Sequence, residues 1–110
     1  MTTAFIYNVP TTFSRFPGGR KRSHGPKSGQ EFWEEVTSVL LRNYDLIRFE
    51  LTGAAAYSTG FLDEAFGEIG REIGLKEATR RVEFVASDDP QAVETIWHRI
   101  AEADAEASRT

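Results

Sequence analysis

Apolar positions recur along this chain with two different periods, and the switching between them predicts the order of its elements. Thr3–Val9 reads Thr-Ala-Phe-Ile-Tyr-Asn-Val, rich in aromatic and β-branched residues, and predicts a first strand. Pro10 interrupts it, and polar–apolar alternation over Thr11–Phe16 predicts a second, weaker strand, which makes a hairpin plausible. Pro17-Gly18-Gly19 then opens a basic stretch to Lys27 whose glycines and prolines rule out regular structure. A loop of this length in a small domain is usually functional or disordered. Ser28-Gly29-Gln30-Glu31 has the form of a capping box, a hydroxyl for the N3 amide and a carboxylate reaching back. Phe32, Trp33, Val36, Val39 and Leu40 follow at helical spacing and predict a helix to about Arg42.

The second half repeats the alternation. Asp45–Leu51 reads as a strand, and Thr52–Gly60 as a small-residue connection ending Tyr57-Ser58-Thr59-Gly60. Phe61–Ile73 predicts a helix with Leu62, Ala65, Phe66, Ile69 and Ile73 on one face. Gly67 and Gly70 each cost about 1 kcal/mol in a helix against alanine, and the expected return is close approach to a neighbouring strand. Gly74 is a natural stop. Arg81–Ala86 alternates as a strand, and Asp89-Pro90 looks like an N-cap followed by proline at N1. Val93, Ile96, Trp97 and Ile100 make the buried stripe of a last helix, with a polar tail expected to fray from Asp104. The order β(β)αβαβα implies an α/β fold, a mixed sheet with helices packed on it and mostly right-handed crossovers. It fits one domain over residues 1–103 with a tail at 104–110. Functional loops in such folds gather at the carboxyl ends of strands, and the loop after Leu51 is one of these.

Composition narrows the classes. The 110 residues contain no cysteine, which excludes disulfides, thiol catalysis and cysteine-ligated zinc. No apolar run approaches the roughly 20 residues that span a bilayer, and no secretory pattern opens the chain, so a soluble cytoplasmic domain is expected. The net charge of −4 is unevenly placed. Residues 1–30 hold Arg15, Arg20, Lys21, Arg22 and Lys27 and no acid, whereas residues 31–110 hold eight basic and seventeen acidic residues. The acidic body argues against a nucleic-acid binder but leaves room for a local anion site in the basic segment.

Two places carry candidate chemistry. In the loop from Gly19 to Gly29, Arg20 could grip a phosphate or carboxylate bidentately, with Arg22 beside it. Glycine amides and the helix end at Ser28 and Gly29 would complete the cradle. No Walker pattern is present, so the occupant would be a small anion, a nucleotide bound otherwise, or the acidic face of a protein. At the second place, Thr59 suits a helix N-cap, and Ser58 would serve equally. His24 and His98 are the only histidines and neither has a partner at ligand spacing. Ser23-His24 is no triad, and Asp88-Asp89 reads as helix capping. No catalysis, metal or cofactor is therefore expected.

The motifs Pro17-Gly18-Gly19-Arg20 and Gly25-Pro26-Lys27-Ser28-Gly29-Gln30-Glu31-Phe32 occur together with Phe49-Glu50-Leu51-Thr52-Gly53 and Ser58-Thr59-Gly60-Phe61-Leu62-Asp63-Glu64-Ala65-Phe66-Gly67. Over about residues 13–88 the chain resembles a STAS-like family of small bacterial proteins, related to the anti-sigma-factor antagonists. In those antagonists a strand runs into an Asp-Ser-Ser-Gly turn that starts a helix. The second serine is phosphorylated by a histidine-kinase-like ATPase, which then lets go. The resemblance puts Tyr57, Ser58, Thr59 and Gly60 at the turn, Thr59 at the phospho-acceptor place, and departs from it where Tyr57 replaces aspartate and threonine replaces serine.

A phosphate there would add nearly two charges at a positive helix end, opposed by Asp63 and Glu64 in the next turn. Phe61 and Phe66 are core or interface. Glu64, which recurs in the family pattern, would either cap the basic loop through Arg20 or Arg22 or face a partner. The resemblance thus implies a non-catalytic regulatory module that binds a protein partner through Ser58, Thr59, Gly60, Phe61 and Glu64. The alternatives are a binder of small anions or nucleotides using loop 17–29, and an oligomerising subunit with Trp33 or Trp97 at the interface.

Overall fold

The computed structural model describes residues 3–109. Strand β1 (Ala4–Asn8) runs directly into a short helical turn, α1 (Val9–Thr12). The expected strand over Thr11–Phe16 is absent, and with it the hairpin. The Asn8 side chain caps the Thr11 amide at 3.0 Å, and Pro10, with its fixed φ, suits the first helical turn. The chain therefore turns away from the sheet where alternation alone suggested a return. Helix α2 covers residues 29–43, β2 is Leu46–Glu50, α3 covers residues 59–81, β3 is Val82–Val85, and α4 is Pro90–Ser108.

The fold is α/β, with three strands in the order β1-β2-β3. Every pairing is parallel. The mixed sheet expected from sequence depended on the missing hairpin. Register aligns Tyr7 with Phe49 and Phe49 with Phe84, so aromatic side chains from all three strands point to one face. The helices cover that face. Phe32 of α2 lies at the centre of an aromatic cluster, its ring centroid 5.2 Å from Phe66, 5.8 Å from Phe61, 5.6 Å from Tyr7 and 4.9 Å from Phe13. Edge-to-face contacts of this kind add specific stabilisation to plain burial. Trp97 of α4 closes the far side against Phe84 at 5.4 Å.

Helix α3 does not end at Gly74. That residue takes φ 82° and ψ 159°, a conformation glycine adopts freely, and the helix resumes through buried Ala78 to Arg81. Gly67 and Gly70 serve a helix, not the strand expected. A Cβ on Gly70 would fall on the Ile100 carbonyl, so α3 and α4 are in backbone contact there. That packing carries α4 past Asp104, where fraying was expected. Ala103 is buried, Arg71 reaches Glu106 at 3.0 Å, and the helix persists to Ser108. No helix among the described residues is long and apolar enough to cross a membrane.

Candidate functional site

Two helix N-termini and the basic loop meet at the carboxyl end of the sheet. Helix α2 begins at Ser28, which is fully buried and whose Oγ accepts from the Glu31 amide at 3.1 Å. The Glu31 carboxylate accepts from the Lys27 amide at 3.1 Å, one residue before the cap amide that a capping box would use. Helix α3 begins in the same way at Ser58, whose Oγ accepts from the Phe61 amide at 3.1 Å. The capping residue is thus Ser58, and Thr59 is the first helical residue. Both helices then widen for one five-residue turn, over 33–37 and 63–67, before resuming ordinary α geometry. Such wide turns are rare and concentrate at functional sites. Gly29 makes the contact between the helices possible, since a Cβ there would lie 2.7 Å from the Phe61 carbonyl oxygen and 2.8 Å from Glu64 Cβ.

The basic loop is folded back onto both helix starts. The Gly18 amide donates to the Lys27 carbonyl at 2.7 Å and closes the loop's neck. Gly29 and Gln30 donate their amides to the carbonyls of Gly19 and Arg20 at 2.8 and 2.9 Å, while Ser58 Oγ donates to the Gly18 carbonyl at 3.2 Å. Arg20 crosses α3 above Gly60, where an added Cβ would sit 3.2 Å from Arg20 Cβ. From there its guanidinium pairs with Asp63, and Lys21 pairs with Glu64. The hydrogen bond to Asp63 holds the Arg20 guanidinium above its usual pKa. Arg22 turns instead to α2, reaching Glu34 at 3.0 Å and Glu35 at 2.8 Å. The uneven charge of the sequence is thereby matched inside the molecule.

The two places singled out from sequence are therefore one site. Arg20, Ser58, Thr59, Gly60 and Glu64 come together. Phe61, counted among the partner-binding residues, is fully buried beneath them and belongs to the core. The cradle expected at Gly19, Ser28 and Gly29 is partly filled from within the molecule. The Gly29 amide is bonded to the Gly19 carbonyl, Ser28 is buried as a cap, and Arg20 and Arg22 already hold carboxylates. Glu64 resolves as a partner of the loop, chiefly through Lys21, with Arg20 3.9 Å away. At the start of α3, the Thr59 and Gly60 amides and the exposed Thr59 hydroxyl have no hydrogen-bond partner among the described residues.

Sequence reasoning missed several supporting residues. Tyr57 donates its phenol to the Leu51 carbonyl at 2.7 Å and pins the connection under the site. Burial, with Asp88, Asp89 and Glu50 nearby, pushes that phenol well above its ordinary pKa. The same connection is tied to the end of β3, because Gly53 donates to Asp88 at 3.0 Å and Ser87 donates to Thr52 Oγ1 at 3.0 Å. Asp63, in sequence terms an opposing charge at the turn, is instead the carboxylate that holds Arg20, and its position one turn into α3 is the signal for that contact. Glu68, a turn further on, is held above the usual carboxylate range by burial and by Glu64 and Asp63 nearby, against the pull of Arg71.

Fold and site together define a small α/β domain that presents a strand-to-helix turn beside a charged loop. The family model described as a STAS-like domain of unknown function matches residues 28–92, more than half of the chain, and the chain belongs to that family. No curated protein and no solved structure matches it. The matched segment contains both serine-capped helices and the turn, while the loop that covers them lies ahead of it.

Proposed function

We propose that this STAS-like domain is a non-catalytic regulatory module. It binds a protein partner through the surface made by the Ser58–Glu64 turn and the basic loop, and phosphorylation at Thr59 releases that partner. The observation that carries the reading is the contrast between adjacent hydroxyls. Ser58 is committed as cap and donor, whereas Thr59 is exposed and unbonded beside two open amides and Arg20. A histidine-kinase-like ATPase would supply the phosphoryl group. The Thr59 oxygen takes the γ-phosphoryl of ATP, the hydroxyl proton leaves, and ADP departs. An ATP-using partner fits a cytoplasmic setting.

The new group would carry nearly two negative charges and three acceptor oxygens. The Thr59 and Gly60 amides would favour it, and Arg20 and Lys21 would be drawn from Asp63 and Glu64 toward it. Two carboxylates would then be left uncompensated on the same surface. An acidic partner face seated on the unmodified site would be repelled.

Capture from lysate with the wild-type protein, Thr59→Val and Thr59→Glu tests this. A histidine-kinase-like ATPase should be recovered by wild type and Thr59→Val alike, and at least about tenfold less by Thr59→Glu, which corresponds to about 1.4 kcal/mol. Equal recovery by all three removes the switch. Recovery of no such ATPase by any of them overturns the partner class.

A further inference from the structure

The chain has eight phenylalanines, three tyrosines and two tryptophans, and all but Phe16 belong to the core or pack against it. Trp33 and Trp97, the interface residues expected for an assembly, are among those that pack against the core. Phe16 is 75% exposed, and so forgoes the stabilisation that burial gives the other rings. Its backbone is nevertheless tied down. The Phe16 amide donates to Ser14 Oγ at 2.9 Å, and the Arg15 carbonyl accepts from the Ala55 amide at 2.9 Å. Two residues on, Gly18 donates its amide to the Lys27 carbonyl and accepts from Ser58 Oγ. The chain is thus fixed on both sides of the ring, along the connection that leads into the start of α3.

The nearest cations are the ones the molecule does not use itself. Arg20, Lys21 and Arg22 are spent on Asp63, Glu64, Glu34 and Glu35. Arg15 and Lys27, the other cations of the basic segment, are exposed and have no carboxylate partner among the described residues. Arg15 precedes the ring, and Lys27 lies across the same segment with its Nζ 5.0 Å from the Phe13 ring centroid. We propose that Phe16 is the anchor of the partner-binding surface, and that it enters an apolar recess with an acidic rim on the partner protein. This rests on the reading that the Ser58–Glu64 surface binds a protein, and it adds the residue that anchors the contact and the chemistry that receives it. An aromatic ring on a fixed backbone loses little freedom when it is buried, and a few such anchors carry most of an interface's energy. A ring beside cations also suits single-stranded nucleic acid. Two free cations do not hold a phosphate backbone against a body with seventeen acids after residue 30. A phosphate on Thr59 would set negative charge near the same acidic rim, which couples the anchor to release.

Photocrosslinking in the protein's own cells tests this, with p-benzoylphenylalanine in place of Phe16 or of Ala56, an exposed residue of the adjoining connection. The label at residue 16 should form an adduct with another protein, on a peptide that carries Asp or Glu beside the linked residue. Arg15→Glu with Lys27→Glu should reduce that adduct at least about tenfold, and Phe16→Ser should reduce the adduct from residue 56 by as much. The circular dichroism and thermal midpoint of Phe16→Ser should match wild type, because the side chain is exposed. An adduct from residue 56 indifferent to Phe16→Ser overturns the anchor and leaves partner binding at the turn standing. So does an adduct from residue 56 with none from residue 16. An adduct from residue 16 with a second copy of the chain, with nucleic acid or with a peptide free of acids overturns the acidic recess. No adduct from either position overturns the proposal together with the binding reading beneath it.

Discussion

The Ser58 hydroxyl accepts from the Phe61 amide and donates to the Gly18 carbonyl, while the equally exposed Thr59 hydroxyl beside it has no hydrogen-bond partner among the described residues. Either residue suits an N-cap by chemistry, so sequence alone leaves the two equivalent. What separates them is the Gly18 carbonyl, forty residues away in the chain. Ser58→Ala should destabilise by about 1 kcal/mol, the usual loss of a cap, and Thr59→Ala by less than about 0.5 kcal/mol. Urea unfolding of the two variants measures the difference. Tyr57 gives a pH signature at the same scale. Its phenol is raised from the ordinary 10.0 chiefly by burial, so the folded state resists its ionisation. That contribution to stability is whole below about pH 10 and is lost as pH rises further. Unfolding free energy should therefore fall above about pH 10, and less steeply in Tyr57→Phe. Tyr7, likewise raised by burial, keeps some of the slope in that variant.

Helices and strands were largely readable from periodicity, because each buries one face against one layer. The inward positions Phe5, Tyr7, Ile47, Phe49, Val82 and Phe84 alternate with outward ones, and Val93, Ile96, Trp97 and Ile100 keep to a single stripe. Elements governed by a distant neighbour were not readable. The alternation at Thr11–Phe16 lost to the Asn8 cap and Pro10, and the tail after Asp104 was held by packing on α3. The wide turns at 33–37 and 63–67 leave no mark in the spacing of apolar residues. Gly67 and Gly70 were seen as closeness without a partner, and the partner is α4. Gly70→Ala should cost about 2–3 kcal/mol, as overpacking against a backbone carbonyl does, since Ile100 cannot swing aside. Gly67→Ala should cost less, because the atoms it meets belong to the Asp63 and Arg99 side chains. Thermal unfolding of the two single variants checks the order.

At the scale of the whole molecule, both motifs of the candidate site were visible in the sequence but their meeting was not. Contact between residues 18–30 and 58–64 depends on backbone carbonyls of Gly18, Gly19 and Arg20 aimed at the two helix starts, and on Gly29 standing where no side chain fits. None of these leaves a pattern in a single sequence. The consequence is a composite surface in which the loop's cations answer the acids of α2 and α3. At the start of α3 that surface sets an uncommitted hydroxyl, Thr59, beside a committed one, Ser58. Phosphosite mapping by mass spectrometry of the protein isolated from its own cells tests this distinction most directly. Phosphate on Thr59, with Ser58 unmodified, is the predicted result. Phosphate on Ser58 alone, or none at either residue across growing and starved cells, would contradict the account.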